Sequence, residues 1–345
     1  MTTVLRQHFP MIPDREEVLS EIHSRRELDM IFTHWTQEQQ QLFLDYCTGV
    51  RGVKLLYDQF FKEIINPDST PERLEEILSL LLETRIKILK VLPNDSARIA
   101  AETSLLILDI VVQMEDGSIA NVEIQRIGYA FPGQRSACYS ADLLLRQYKR
   151  LKGEKGKKFS YRDIKKVYTI VFFEKSIHQF HQFQNNYIHH MKQQSDTGIQ
   201  IDLLQEYVFI TLDIFRKKLQ NKKVIENRLE AWLTFLCEDD PDTILALIKA
   251  YPDFEKLYKE VYEMCRNTER MMRLFSKELE ELDKNTVQYM IDEMQDTIDA
   301  QKDTIDSQKD TIDSQKDTID SQKDTIDSLQ DKIAQLEQLL KTKKG

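Results

Sequence analysis

The chain has 345 residues, 41% of them hydrophobic and 31% charged, with a formal net charge of −10. That is enough apolar material for one sizeable domain with extensions or for two modest ones, and it excludes a disordered chain. No run of about 18 uncharged apolar residues occurs, and Met1 to Pro13 lack a basic flank followed by an apolar core, so neither a membrane span nor a secretory signal is expected and a soluble, cytoplasmic protein is.

Residues 14 to 62 read as long helical stretches broken at Gly49 and Gly52, which suggests a helical N-terminal extension over residues 1–55. The cysteines (Cys47, Cys138, Cys237, Cys265) form no C-x-x-C pair, which argues against a disulfide framework or a thiolate zinc site. Asn66-Pro67-Asp68 and Pro71 mark a boundary near the start of a second region, residues 56–185. Ser69 or Thr70 can cap a helix there, and Leu74, Ile77, Leu78, Leu81 and Leu82 recur at helical spacing. Ile86, Ile88 and Leu89 then lead into a short strand ending near Pro93.

The most informative stretch follows. Leu105 to Met114 (LLILDIVVQM) is a β-rich apolar run interrupted by one acid, Asp109, and Ile119 to Gln125 (IANVEIQ) alternates, with Val122 and Ile124 on one face and Asn121, Glu123 and Gln125 on the other. Glu115-Asp116-Gly117-Ser118 between them signals a hairpin. Parity selects the loop length. Leu106, Leu108, Ile110, Val112 and Met114 must share a core with Ala120, Val122 and Ile124, so even positions must pair with even. A two-residue Asp-Gly turn breaks that rule. A three-residue loop with Gly117 in the left-handed region obeys it, pairing Met114 with Ser118 and setting Asp109 opposite Glu123. Two carboxylates facing each other across adjacent strands repel unless a cation lies between them. An all-oxygen site selects Mg²⁺ or Mn²⁺ over zinc, with bound water available as a nucleophile towards a phosphodiester. The alternative assignment is the solvated polar face of an ordinary antiparallel hairpin.

After Pro132-Gly133 a helix is expected from about Gln134 to Lys152. It would place Arg135, Tyr139, Asp142, Arg146 and Lys149 on a stripe able to meet phosphate, while Ala137, Ala141, Leu144, Tyr148 and Leu151 pack. Residues 135 to 175 hold twelve Lys/Arg against four Asp/Glu, a polyanion-binding surface or a solvated lysine-rich one. Gly153 to Lys158 (GEKGKK) reads as a basic flexible loop, and Lys166 to Phe173 as a buried strand. The expected order is helix, three strands, helix, strand.

Residues 186–285 read as helical, with Pro241 and Pro252 as breakers. His178, His181, His189 and His190 lack a nearby cysteine and read as a polar loop rather than a zinc site. From 286 to 341 the pattern is a coiled coil. QKDTIDS occurs four times in tandem from Gln301 to Ser328, placing Ile298, Ile305, Ile312, Ile319, Ile326 and Ile333 at position a and glutamines at d. Isoleucine at a favours a parallel pair, hence a homodimer; a long single helix is the alternative.

The order of elements, with an acid in the second strand and E-x-Q in the third, resembles the PD-(D/E)XK nuclease superfamily. Within it, Asp109 in LLILDIVV, Glu123 and Gln125 in NVEIQ, Arg135 and Tyr139 in the next helix and VYTIVFF resemble the recombination-promoting (Rpn) nucleases, proteins often labelled transposases. The resemblance covers roughly residues 57 to 175. It implies an α/β restriction-endonuclease-like core and a Mg²⁺- or Mn²⁺-dependent DNA endonuclease active in recombination or mobile-element biology. Asp109 and Glu123 would be metal ligands, Gln125 would stand in place of the superfamily's lysine, and Arg135, Tyr139, Arg146 and Lys149 would lie along DNA. Leu108 replaces the proline of the superfamily's name. An integrase-like enzyme fits less well, because its acids come from well-separated elements. The reading from a different class is a catalytically degenerate DNA-binding scaffold assembled through its tail.

Overall fold

The computed structural model describes residues 2–92, 110–126 and 132–343, and it separates into two units, residues 1–287 and 288–345.

In the first unit, helices α1 (Val4–His8), α2 (Arg15–Ser24), α3 (Arg26–His34) and α4 (Gln37–Cys47) precede α5 (Asp58–Ile64) and α6 (Pro71–Leu81). Local chemistry sets several starts. Asp14 with Glu17 and Thr36 with Gln39 form reciprocal capping boxes. Thr70 precedes α6 but makes no side-chain cap; its hydroxyl donates to the Asn66 carbonyl, and Pro71 at the first helical position starts the helix instead.

Strands β1 (Ile88–Val91), β2 (Ile110–Met114) and β3 (Ile119–Gln125) lead to α7 (Pro132–Lys155) and β4 (Val167–Phe173). Helix, three strands, helix and strand therefore occur as the sequence suggests. Two further strands, β5 (Ile188–Lys192) and β6 (Gln205–Thr211), lie in the stretch expected to be helical. The run YVFIT of β6 is too short for a helix and is buried in the sheet, whereas the expectation leaned on the Leu/Glu/Lys-rich residues that follow. Those form α8 (Leu212–Lys222), α9 (Arg228–Cys237), α10 (Pro241–Ala250), α11 (Phe254–Arg266) and α12 (Thr268–Lys343). Pro241 opens α10 rather than breaking it, with Asp240 as its cap.

The sheet order is β1-β2-β3-β4-β6-β5. β2 and β3 are antiparallel, β3 runs parallel to β4 and β4 to β6, and the edges are antiparallel. One face, carrying Ile110, Val112, Met114, Ala120, Val122, Ile170 and Phe172, joins a core with Leu74, Ile77, Leu78 and Leu81 of α6. The N-terminal helices share this core: Phe275 of α12 lies 5.1 Å from the Trp35 ring and 5.6 Å from that of Phe43. α7 covers the other face, where Tyr139 and Leu143 pack on Val111, Ile119 and Val167.

The hairpin register is the even-with-even pairing that parity demands: Ile110 opposes Val122 and Val112 opposes Ala120. The Met114 amide donates to the Ser118 carbonyl at 2.8 Å and the Gly117 amide to the Met114 carbonyl at 2.9 Å, closing the three-residue loop. Gly117 has φ +88°, and Asp116 braces the bend by accepting from the Ser118 amide and hydroxyl.

The second unit is the remainder of α12, a continuous helix through the repeats. Ile298, Ile305, Ile312, Ile319, Ile326 and Ile333 are 54–61% exposed along it. Among the described residues, no helix is long and apolar enough to cross a membrane.

Gly117→Ala forces a side chain into a backbone region that L residues rarely adopt, and its Cβ would sit 3.2 Å from Lys165 Cγ. A loss of about 1–2 kcal/mol is expected, measurable by urea denaturation; an unchanged midpoint would show that the bend does not constrain the hairpin.

Candidate active site

The side of β3 that carries Asn121, Glu123 and Gln125 is not a solvated face. Glu123 is 3% and Gln125 2% exposed, and Asn121 is fully buried. The reason is topological: β3 is an interior strand with β4 alongside, placing Thr169 beside Asn121 and Val171 beside Glu123, and α7 adds the buried Ser136 and Ser140. A polar strip therefore runs between two apolar clusters, Val111, Ile119, Tyr139, Leu143 and Val167 on one side and Val171, Phe173, Phe180, Phe209 and Ile214 on the other.

Within that strip Gln125 Nε2 donates to Glu123 Oε1 at 2.9 Å, and Arg135 Nε lies 3.6 Å from the same oxygen. The Arg135 guanidinium also sits 5.3 Å from the centre of the Tyr139 ring. Glu123 Oε2 and Gln125 Oε1 are buried with no hydrogen-bond partner among the described residues. Leaving such oxygens unsatisfied is costly. An oxygen-only donor set of this kind suits a hard divalent cation, so the residues present fit Mg²⁺ or Mn²⁺. Among the described residues no group of three or more His, Cys, Asp or Glu side chains converges on a metal position. Asp109, the other expected ligand, lies outside the described residues.

Of the expected DNA-contacting residues, Arg135 meets Glu123 and Tyr139 lies against Arg135, but not as a solvent-facing stripe. Tyr139 is 1% exposed and Asp142 is buried, whereas Ala137 and Ala141, expected to pack, are exposed. The packing stripe is Ser136, Tyr139, Ser140, Leu143 and Gln147, because a polar strip on the sheet accepts small hydroxyl residues where the pattern called for alanines. Arg146 is paired with Asp142 at 2.7 Å, and Lys149 is exposed. At 1.5 Å per residue they lie roughly 17 and 21 Å along α7 from Arg135. GEKGKK is not a loose loop either: α7 continues to Lys155, followed by a 3₁₀ turn, Gly156–Lys158. His189 and His190 belong to β5, and His181 Nε2 contacts Ser176 Oγ and Asp213 Oδ2 at 3.1 and 3.0 Å.

Sequence reasoning misses a second group one residue beyond the strip. Arg126 Nε donates to Glu174 Oε2 at 3.0 Å and its Nη1 to Glu278 Oε1 at 2.7 Å; Lys54 pairs with the other Glu174 oxygen, and the Tyr57 ring lies 4.3 Å from the guanidinium. Burial alone would raise the Glu174 carboxyl, but Lys54 and Arg126 more than offset it and hold it below the usual range. The signal was present: Arg126 and Glu174 each come directly after the last residue of a strand, and the β3–β4 register brings those strand ends together.

The fold is a mixed α/β one, a six-stranded sheet with a buried acid–amide pair on one interior strand and an arginine from the helix that covers it. A family model described as PD-(D/E)XK nuclease family transposase matches residues 55–291, and the chain belongs to that family. The match extends through α11 and into α12, well past the hairpin that carries the sequence resemblance. Neither curated proteins nor solved structures yield a match to this chain.

Burial raises the Glu123 carboxyl above the usual range, and Arg135 and the Gln125 amide offset this only in part. The folded chain thus keeps this proton to higher pH than the unfolded chain, so the carboxyl costs stability above its folded pKa and nothing below the unfolded one. In EDTA, Glu123→Gln is expected to raise Tm at neutral pH, with the gain vanishing as pH falls towards the ordinary glutamate value of about 4.3. A pH-independent gain would contradict this assignment.

Proposed function

We propose that the chain is a Mg²⁺- or Mn²⁺-dependent DNA endonuclease that hydrolyses phosphodiester bonds in recombination or mobile-element biology. The observation that carries the reading is the buried Glu123–Gln125 pair, with an oxygen of each left unsatisfied beside Arg135, in a chain of a nuclease family.

Glu123 and Asp109 would hold the cation. The assignment of Asp109 rests on the sequence, where the parity of the hairpin sets it opposite Glu123. When bound, the cation neutralises phosphate charge and lowers the pKa of a coordinated water. Gln125 fixes Glu123 by donating to Oε1, and Oε2, without a hydrogen-bond partner among the described residues, would be available to the cation. A neutral amide cannot stabilise developing phosphate charge as the superfamily's lysine does, and Arg135 is the cation in position to supply that charge. The Tyr139 ring, 5.3 Å from the guanidinium, helps to position it. Arg146 and Lys149 lie further along α7, where they can meet phosphates flanking the cut.

Purified protein is expected to nick supercoiled DNA with Mg²⁺ or Mn²⁺ and not in EDTA, and Asp109→Ala or Glu123→Ala should lower the rate at least about a hundredfold. Absence of metal-dependent nicking by the parent would favour a DNA-binding scaffold instead.

The exposed isoleucine stripe at seven-residue spacing supports a coiled-coil homodimer, which would bring two cutting sites to one duplex. Sedimentation should show a dimer, and combining Ile312→Lys with Ile319→Lys should shift it to monomer; a parent that sediments as a monomer would refute the pairing.

A further inference from the structure

The densest unpaired positive charge lies away from Glu123, where α7 ends and the chain turns back towards β4. Lys149, Arg150, Lys157, Lys158, Arg162 and Lys165 make no ion pair among the described residues, and all but the half-buried Arg150 are exposed. Over residues 148–166 there are nine Lys/Arg and only two acids, Glu154 and Asp163. Asp163 is committed to structure, accepting from the Ser160 amide at 2.8 Å and pairing with Lys155 at 2.6 Å, which pins the second 3₁₀ turn, Tyr161–Asp163.

That pinned turn holds up an aromatic surface. Tyr161 is 73% exposed, with its ring nearly parallel to Tyr148, 11° between planes at 6.0 Å. Phe159 closes the trio edge-on, 5.5 Å from each. Lys152 Nζ is 2.8 Å from the Tyr148 hydroxyl and 5.2 Å from its ring centre. A ring so open adds little to the core. Its neighbours nevertheless hold it in place, so little side-chain freedom remains to be lost when something stacks on it.

We propose that Tyr161, supported by Tyr148 and Phe159 and flanked along the chain by these cations, is a stacking platform for unpaired nucleobases, so that the protein engages a single-stranded segment of DNA at this end of α7. Charge selects the backbone and the open ring selects the bases; a paired duplex buries its base faces and can satisfy only the charges. The site is separate from Glu123, and the inference rests on the reading of DNA as the partner, not on hydrolysis.

The test is binding by the full-length chain in EDTA, with labelled oligothymidylate and a duplex of equal length as probes. Tyr161→Ala is expected to weaken oligothymidylate binding by between about fivefold and a hundredfold while leaving duplex binding within about twofold. Tyr161→Phe should retain parental affinity and Tyr161→Leu should not, because stacking needs a π face rather than apolar area. Combining Lys157→Ala with Lys158→Ala should weaken both probes and flatten the salt dependence. Equal single-strand affinity of Tyr161→Ala and parent, or full retention by Tyr161→Leu, would overturn the proposal, as would a Tyr161-dependent interaction confined to anionic phospholipid vesicles. A parent that binds oligothymidylate through Tyr161 but nicks nothing would leave this inference standing while removing the nuclease.

Discussion

Everything at the centre of this protein depends on a one-residue choice in a tight bend. Because side chains alternate along a strand, shifting β3 by a single position would send Val122 and Ala120 out of the main core and turn Glu123 and Gln125 into it. The three-residue loop with Gly117 at positive φ prevents this, and Asp116 ties the loop to Ser118. The apolar face and the chemical face of the hairpin are therefore fixed together, by the same few atoms.

The second constraint is burial of ionisable groups beneath α7 and at the strand ends. Two solutions sit side by side. At Arg126, Glu174 and Lys54, opposite charges satisfy one another, and Glu174 stays ionised. At Glu123 the balance is incomplete: one amide and one guanidinium at 3.6 Å do not offset the loss of water, and the carboxyl is held above its usual range. A structural ion pair would be expected to resemble the first arrangement. The second leaves a buried carboxyl whose charge is only partly compensated by its neighbours.

Much of this was legible in the residues. Parity alone gave the loop length and the register, because a buried face tolerates no slip. The order of elements through β4 followed from the switch between two-residue and 3.6-residue periodicity. What failed did so for identifiable reasons. α7 faces the sheet with Ser136 and Ser140 rather than with Ala137 and Ala141, because the strip of sheet it covers is polar and the alanines lie on the exposed side. β5 and β6 were missed because IHHMK is a polar edge strand, half-buried or exposed along its length, and QEYVFIT is short and runs straight into a helix. The Arg126 cluster needed four separate parts of the chain, residues 54–57, 126, 174 and 278, and no local pattern links them.

The tandem copies of QKDTIDS carry a consequence for how such a tail can change. Seven residues complete two helical turns to within about 20°, so inserting or deleting one whole unit moves everything beyond it by about 10 Å along the axis while the isoleucines stay in one line. An insertion far from a whole number of turns, such as two or five residues, would break that line. The repeat thus behaves as a ruler with interchangeable divisions: its length can drift between descendants of this chain without altering the surface it offers to a second helix.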